Sequence, residues 1–170
     1  MIVALMAVGL VACTTEPAPA PLPTPSALSS EDAAFAAAEA TYRAYVDALN
    51  RVDLADPSTF EPVFSSTVDE ARASAEALFD SMHEKGWTVT GTTRAHKIEP
   101  MSSDSPDEIV LSVCVDVSAV ELVDNSGKSV VDPDRTDIQP MRVALRQTND
   151  DTWLISSFEG REGEPLCEKG

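Results

Sequence analysis

The stretch that decides the fold is residues 108–117, EIVLSVCVDV, which opens the longest strand pattern of the chain, residues 108–122. Successive side chains of a strand point to opposite faces of its sheet, so every second residue shares a face. One set of alternate positions is wholly aliphatic: Ile109, Leu111, Val113, Val115 and Val117. The pattern therefore predicts a strand with one face that packs against other elements.

Two helical patterns precede this strand. In residues 29–50, apolar side chains recur at steps of three and four residues: Phe35, Ala38, Tyr42, Tyr45 and Leu49. We expect this helix to end at Asn50 in a left-handed conformation. Thr67 and Glu70 have the spacing of a capping box, after which Ala71, Ala75, Leu78 and Met82 mark a second buried stripe that ends before Gly86.

Strands dominate the rest of the chain. Residues 88–98 predict one strand, and residues 141–147 and 152–159 predict a hairpin. We expect Arg142 and Arg146 to pair with Asp116 across the sheet. Helices followed by strands indicate an α+β fold, and residues 29–170 are long enough for one domain.

Two segments carry a resemblance to the nuclear transport factor two-like family, which includes SnoaL-like and ketosteroid isomerase-like proteins. Residues 45–53, YVDALNRVD, resemble the end of that family's first helix, and residues 153–159, WLISSFE, resemble its closing strand. The resemblance implies N-terminal helices packed on a curved, cone-like antiparallel sheet. It also implies a pocket between the first helix and the concave sheet face, with these candidate lining residues: Phe35, Tyr42, Tyr45, Val113 and Val115.

The N-terminus has the pattern of an export signal. Residues 1–12 form an unbroken apolar and glycine run that is too short for a bilayer span. Leu10-Val11-Ala12-Cys13 resembles the lipobox of bacterial lipoproteins. The resemblance implies a signal peptide over residues 1–12 and fatty acyl chains, such as palmitate, on Cys13. The protein is then expected at the extracytoplasmic face of the cell membrane.

A proline-rich segment follows this cysteine. Pro17, Pro19, Pro21, Pro23 and Pro25 stand at every second position, a density that excludes helix and sheet and favours an extended polyproline conformation. Residues 13–28 are therefore predicted to be the lipidated cysteine and a tether.

The charge of the chain excludes some partners. Its 29 Asp and Glu outnumber its 12 Lys and Arg, for a formal net charge of −17. Nucleic-acid binding relies on Lys and Arg at phosphates, and docking on anionic lipid relies on basic patches. We expect no nucleic-acid partner and a membrane contact that depends on the lipid anchor.

The cysteines suggest a disulfide. If Cys13 carries lipid, Cys114 and Cys167 remain as a pair in an oxidising compartment. A bridge between them would tie the C-terminal tail to the face of the central strand opposite its aliphatic side. Two free thiols are the alternative.

No residue is well placed for catalysis. Asp116, Arg94 and His96 alternate to the face away from the helices, whereas proton transfer needs a base within hydrogen-bond reach of substrate. The aspartates of residues 124–137 lack the glycine turn and bidentate glutamate typical of a calcium loop. We therefore assign no catalytic residue, no cofactor and no metal.

These features favour a lipid-anchored, extracytoplasmic and non-catalytic domain that binds a small apolar ligand or an envelope protein. A ketosteroid isomerase-like or dehydratase-like enzyme is the first alternative. The second is a structural module that associates with itself, as in a homodimer.

Overall fold

The computed structural model describes residues 30–101, 105 and 107–167. Cys13, the predicted signal and the tether lie outside them. Three helices come first: α1 (Ser30–Leu49), α2 (Glu61–Phe64) and α3 (Asp69–Glu84), with a single 3-10 turn at Pro57–Thr59. Six strands follow: β1 (Thr88–Thr90), β2 (Arg94–Met101), β3 (Glu108–Asp116), β4 (Glu121–Val123), β5 (Ile138–Gln147) and β6 (Trp153–Gly160).

The strands form two antiparallel sheets. The larger has the order β2-β3-β5-β6, and the smaller pairs β1 with β4. The predicted strand of residues 88–98 is wrong as one element, because a turn at Gly91 separates β1 from β2. Gly91 has a φ of +85°, and a Cβ built on it would lie 1.8 Å from the Ala119 carbonyl oxygen. Only glycine permits this approach, which brings the turn against the chain between β3 and β4.

Helix α1 packs on the aliphatic face of β3, as predicted. Ala38, Tyr42 and Val46 are buried with Leu111, Val113 and Val115, and side chains of β5 and β6 complete the cluster. Partly buried residues that pack against it include Ile109 and Val117. The predicted α+β class, with N-terminal helices on an antiparallel sheet, is confirmed.

A second apolar cluster lies beyond the larger sheet. Ala48 from the end of α1 is buried with Leu54, Phe60, Val63, Phe79 and Met82. Val89 of β1 and Leu122 of β4 pack against this cluster. The two-stranded sheet therefore covers a core of its own, built mainly by α2, α3 and the end of α1.

The start of α3 differs from the prediction. The capping box is wrong: the Thr67 hydroxyl donates to the Phe64 carbonyl, and Val68 precedes the helix without a side-chain cap. Thr67 is held instead by a parallel bridge to Ile155 of β6. Ala71 and Met82 of the predicted stripe are buried, but Leu78 is wrong as a buried position, because Phe79 is buried whereas Leu78 is 55% exposed. The end is as expected: Gly86 has a φ of +66°, and the Trp87 N–H donates to the Met82 carbonyl.

The predicted pairing of Arg142 and Arg146 with Asp116 is wrong. The β3–β5 register places Arg142 opposite Ser112 and Arg146 opposite Glu108, while Asp116 is opposite Ile138. Arg142 lies 3.5 Å from a Glu159 carboxylate oxygen on β6. Arg146 reaches Asp69 at the start of α3, at 2.8 Å.

The predicted disulfide between Cys114 and Cys167 is present, with 5.6 Å between the two Cα atoms. Cys114 lies on the face of β3 away from the helices, yet it is fully buried. The tail that covers it is fixed by Arg161, whose Nη1 and Nη2 donate to the carbonyls of Gly163 and Pro165. Lys97 of β2 donates to the Leu166 carbonyl at 3.0 Å. The tail is thus tied to the outer face of the sheet at several points.

Candidate functional site

The candidate site is an apolar cavity. It lies at the end of the domain where β1 and β4 form the two-stranded sheet. Its volume is about 360 Å³. The walls come from the end of α1, from α3, from β1 and β4, and from the loop that contains residues 131–135. The apolar lining side chains are Leu49, Val52, Leu54, Leu78, Phe79, Met82, Val89, Val120, Leu122 and Val131.

The wall between α1 and the sheet is closed by a reciprocal contact. Nδ2 of the Asn50 side chain donates to the Thr93 carbonyl at 2.9 Å, and the Thr93 N–H donates to Oδ1 of Asn50 at 2.7 Å. Asn50 does not take the left-handed conformation that we expected. Its side chain instead ties the end of the helix to the segment that joins β1 and β2.

A charged side chain fixes the opposite wall. Nη2 of the half-buried Arg135 donates to the carbonyls of Val117 and Val120, at 2.9 and 3.0 Å. Its backbone N–H donates to the Asp132 carbonyl at 3.0 Å. Asp132 also lines the cavity, but it is exposed, and its Oδ1 accepts from the Asp134 N–H at 2.8 Å. The cavity is therefore apolar with one fixed guanidinium in its wall and a carboxylate beside it.

Leu78 connects the cavity with the surface. It lines the cavity and is nevertheless 55% exposed. An aliphatic side chain with this exposure gains little from packing within the domain, because most of its surface still meets water. Its position allows it to contact a molecule that enters the cavity.

The residues predicted to line a pocket do not lie in this cavity. Tyr42, Val113 and Val115 are buried in the packed cluster between α1 and the larger sheet, and Tyr45 packs against that cluster. The ring of Tyr45 lies 5.2 Å from that of Phe158, between centroids. The interface between the first helix and the sheet is thus filled by side chains along this stretch.

Phe35 lines a different cavity, near the start of α1. This second cavity has a volume of about 630 Å³ and is also lined by Met101, Ile109 and Trp153. The structure therefore separates Phe35 from the other four predicted residues.

The ionisable groups near the helix–sheet interface are unsuited to act as bases. Burial raises the pKa of Tyr45 to about 12. Burial, with a contribution from Tyr45, raises the pKa of Tyr42 further above its ordinary value. Both hydroxyls keep their protons at neutral pH.

Asp116 lies where the sequence predicted, on the outer face of β3, opposite Arg94 of β2. Hydrogen bonds from the Ser118 side chain and backbone lower the pKa of Asp116, and the charges of Arg94 and His96 add to this effect. His96 is opposite Cys114 on the same face. None of these three side chains lines the apolar cavity.

The acidic loop after β4 uses its side chains locally. Oδ1 of Asp124 accepts from the hydroxyl and N–H of Ser126 and from the Lys128 N–H. Among the residues that the structure describes, no group of three or more His, Cys, Asp or Glu could hold a metal ion. In the same part of the chain, no helix is long and apolar enough to cross a bilayer.

Comparison with known proteins finds solved structures with a similar fold. No protein-family model matches the chain, and no curated protein matches it. A solved structure from Catenulispora acidiphila is 15% identical, with a TM-score of 0.50 over 77% of this chain and 94% of that one. The intermembrane space region of the chloroplast protein ARC6 is 12% identical, with a TM-score of 0.52 over 79% and 98% of the two chains. This chain shares their fold.

More distant structures include an NTF2-like protein of unknown function from Exiguobacterium sp. 255-15. It is 12% identical, with a TM-score of 0.39 over 68% of this chain and 94% of that one. At these identities the likeness is one of fold alone, and the function has to be argued from the cavity.

Proposed function

We propose that this protein is a lipid-anchored, extracytoplasmic binding domain without catalytic activity, which holds a small apolar molecule in the cavity between α1, α3 and the β1–β4 sheet. The observation that carries the proposal is the concentration of ten apolar side chains around one cavity of about 360 Å³. Cavities of roughly 300–1,000 Å³ with apolar linings and few polar groups are typical of small-molecule sites.

The energetics favour an apolar occupant. Apolar surface removed from water stabilises a complex by about 25 cal/mol per Å². Among the polar lining groups, Asn50 is bonded to Thr93, Asp132 accepts from the Asp134 N–H, and Nη2 of Arg135 donates to two backbone carbonyls. A ligand that fills the cavity therefore gains mainly from hydrophobic contact.

The proposed location follows from the N-terminus. Lipid on Cys13 would hold the domain at the membrane, and the proline-rich tether of residues 14–28 would separate the two. The net charge of −17 disfavours flat contact of the domain with an anionic bilayer. A domain held near a membrane but away from its surface is well placed to take up an apolar molecule.

The enzyme alternative is supported less well. A ketosteroid isomerase-like or dehydratase-like reaction needs a base in contact with substrate. The buried tyrosines retain their protons, and neither Asp116 nor His96 lines the cavity. Asp132, the carboxylate that does line the cavity, is exposed and accepts a backbone hydrogen bond.

Titration with the neutral dye N-phenylnaphthylamine tests the proposal. We expect saturable fluorescence enhancement with the mature domain, since the dye is apolar and emits more strongly away from water. Val131 lines the cavity whereas its neighbour Val130 does not, so the two positions form a matched pair. Val131→Trp should fill the cavity and abolish the enhancement, and Val130→Trp should preserve it. Equal enhancement in both variants would contradict the proposal.

A further inference from the structure

We propose that the ligand of the apolar cavity is an amphiphile with a carboxylate head, which pairs with Arg135 while its apolar part fills the cavity. The inference rests on the proposed function and adds the chemical class of the ligand. It also assigns Arg135 as the residue that selects that class.

The position of Arg135 carries the inference. Arg135 is half-buried and lines the cavity, and its guanidinium is oriented by the bonds from Nη2 to the carbonyls of Val117 and Val120. A guanidinium is a planar fork with five N–H donors that matches the geometry of a carboxylate. The two backbone acceptors fix the plane of the guanidinium through Nη2, so an incoming carboxylate would accept from Nη1 or Nε of an already oriented cation.

The apolar surroundings of Arg135 strengthen its attraction for an anion at short range. Most of the cavity wall is apolar, and a charge interaction grows stronger as water is excluded from it. The negative charge of the whole protein acts on an anion at a distance, but it is screened over about 10 Å at ordinary ionic strength. The contact with Arg135 is local and is screened less.

The carboxylates near Arg135 lie in two places, the cavity and a neighbouring groove. Asp132 lines the cavity, is exposed and is bonded to the Asp134 N–H. Asp134 and Asp137 line a neighbouring groove that also includes Arg135 and Cys167. Arg135 therefore stands between an acidic groove and an apolar cavity, and Asp132 opposes an anionic head at the cavity itself. Removing that opposing charge should improve binding of a carboxylate.

The experiment compares octanoate, octanol and octylamine, which share one chain and differ in the charge of the head. Affinities for the mature domain are measured by isothermal titration calorimetry. We expect octanoate to bind about tenfold more tightly than octanol, because a hydrogen bond to a charged group contributes more than a neutral one. Octylamine should bind more weakly than octanol. Arg135→Gln should bring octanoate close to octanol.

Arg135→Gln also removes the bonds that hold the turn at Val117–Val120, so a second variant is needed. Asp132→Asn keeps an oxygen for the Asp134 N–H and deletes one negative charge from the cavity. It should tighten octanoate several-fold and leave octanol unchanged. Asp134→Asn, which removes the same charge from the neighbouring groove, is the control and should have a smaller effect.

The outcomes separate the two proposals. If octanol binds as tightly as octanoate and Asp132→Asn changes neither affinity, the proposal of a carboxylate head is overturned. The proposal that the cavity binds an apolar molecule is then unaffected. If none of the three compounds binds, the proposed function fails, and the inference fails with it. Octanoate binding that survives Val131→Trp would place the ligand elsewhere and would overturn the assignment of Arg135.

Discussion

Asn50, the residue after α1, and Thr93, the residue before β2, exchange two hydrogen bonds across 43 positions of sequence. This reciprocal contact joins the end of α1 to the segment that connects β1 of the smaller sheet with β2 of the larger sheet. It closes one wall of the cavity, and its loss should affect the cavity as well as stability.

Asn50→Ala is expected to lower the free energy of unfolding by about 1 kcal/mol, since both bonds are solvent-exposed and such bonds contribute modestly. The same variant should weaken N-phenylnaphthylamine binding, because the cavity wall loses the two hydrogen bonds that hold α1 against the segment before β2. Urea denaturation and dye titration measure the two effects. Thr92→Ala, at an exposed neighbouring position, is the control. Unaltered stability and dye binding in Asn50→Ala would show that the contact has no such role.

Gly91→Ala is expected to be much more destabilising than Gly127→Ala. Both glycines have φ near +85°, but a Cβ at Gly91 would meet the Ala119 carbonyl whereas one at Gly127 would meet nothing within 4 Å. The Gly127 variant should cost about 1 kcal/mol for its left-handed backbone. The Gly91 variant should cost about 3 kcal/mol, because the turn must also move away from the segment between β3 and β4. Equal losses in denaturant titrations would argue against the close approach.

Reduction of the Cys114–Cys167 disulfide is expected to destabilise the domain. The bridge spans a sequence separation of 53 residues, which in the chain-entropy model is worth about 4 kcal/mol. The melting temperatures of the oxidised protein, of the reduced protein and of a Cys114→Ala/Cys167→Ala variant test this. The reduced and doubly substituted proteins should melt together, well below the oxidised protein. Coincident melting of all three would contradict a stabilising role.

Cys13→Ala is expected to release the protein from the membrane fraction, or to leave the signal uncleaved, because acyl chains on Cys13 would be its only anchor under our proposal. Several buried chains hold a protein firmly, at about 0.8 kcal/mol per methylene. Fractionation and intact-mass measurement check the result. The conservative Cys13→Ser substitution should behave in the same way, since a thiol is the proposed acceptor. Unchanged membrane fractionation and mass in both variants would refute lipid attachment.

The sequence predicted those features that depend on local periodicity. The stripe from Phe35 to Leu49 has one period throughout, and α1 was predicted close to its observed bounds. The alternation from Ile109 to Val117 predicted where β3 begins, but the strand predicted over residues 108–122 ends at Asp116. The pairing of Cys114 with Cys167 followed from the cysteine count. Each of these predictions needs little knowledge of distant contacts.

The candidate site could not be predicted in this way, because its walls meet only through tertiary contacts. Val89 and Leu122 become neighbours when β1 pairs with β4, and that pairing depends on the approach of Gly91 to Ala119. Val131 lies in the aspartate-rich segment of residues 124–137, whose composition does not indicate a cavity wall. The choice of Phe79 over Leu78 as the buried residue of α3 is set by packing against Phe60, 5.1 Å away between ring centroids, a contact that helical spacing alone does not reveal.

The partners of Arg142 and Arg146 could not be predicted from local sequence patterns either. Alternation placed both on one face of β5, but a partner across a sheet depends on register. The observed register offsets Asp116 from both arginines, so Glu159 and Asp69 take its place.

The central claim is that an apolar molecule occupies the cavity at the β1–β4 end of the domain. Methyl NMR of the mature protein, titrated with N-phenylnaphthylamine, tests it most directly. We predict that the methyl resonances of Val89, Leu122 and Val131 shift with a common saturation curve, while those of Val113 and Val143 in the packed helix–sheet interface stay in place. Shifts confined to Val113 and Val143, or no saturable shift at all, would contradict the account.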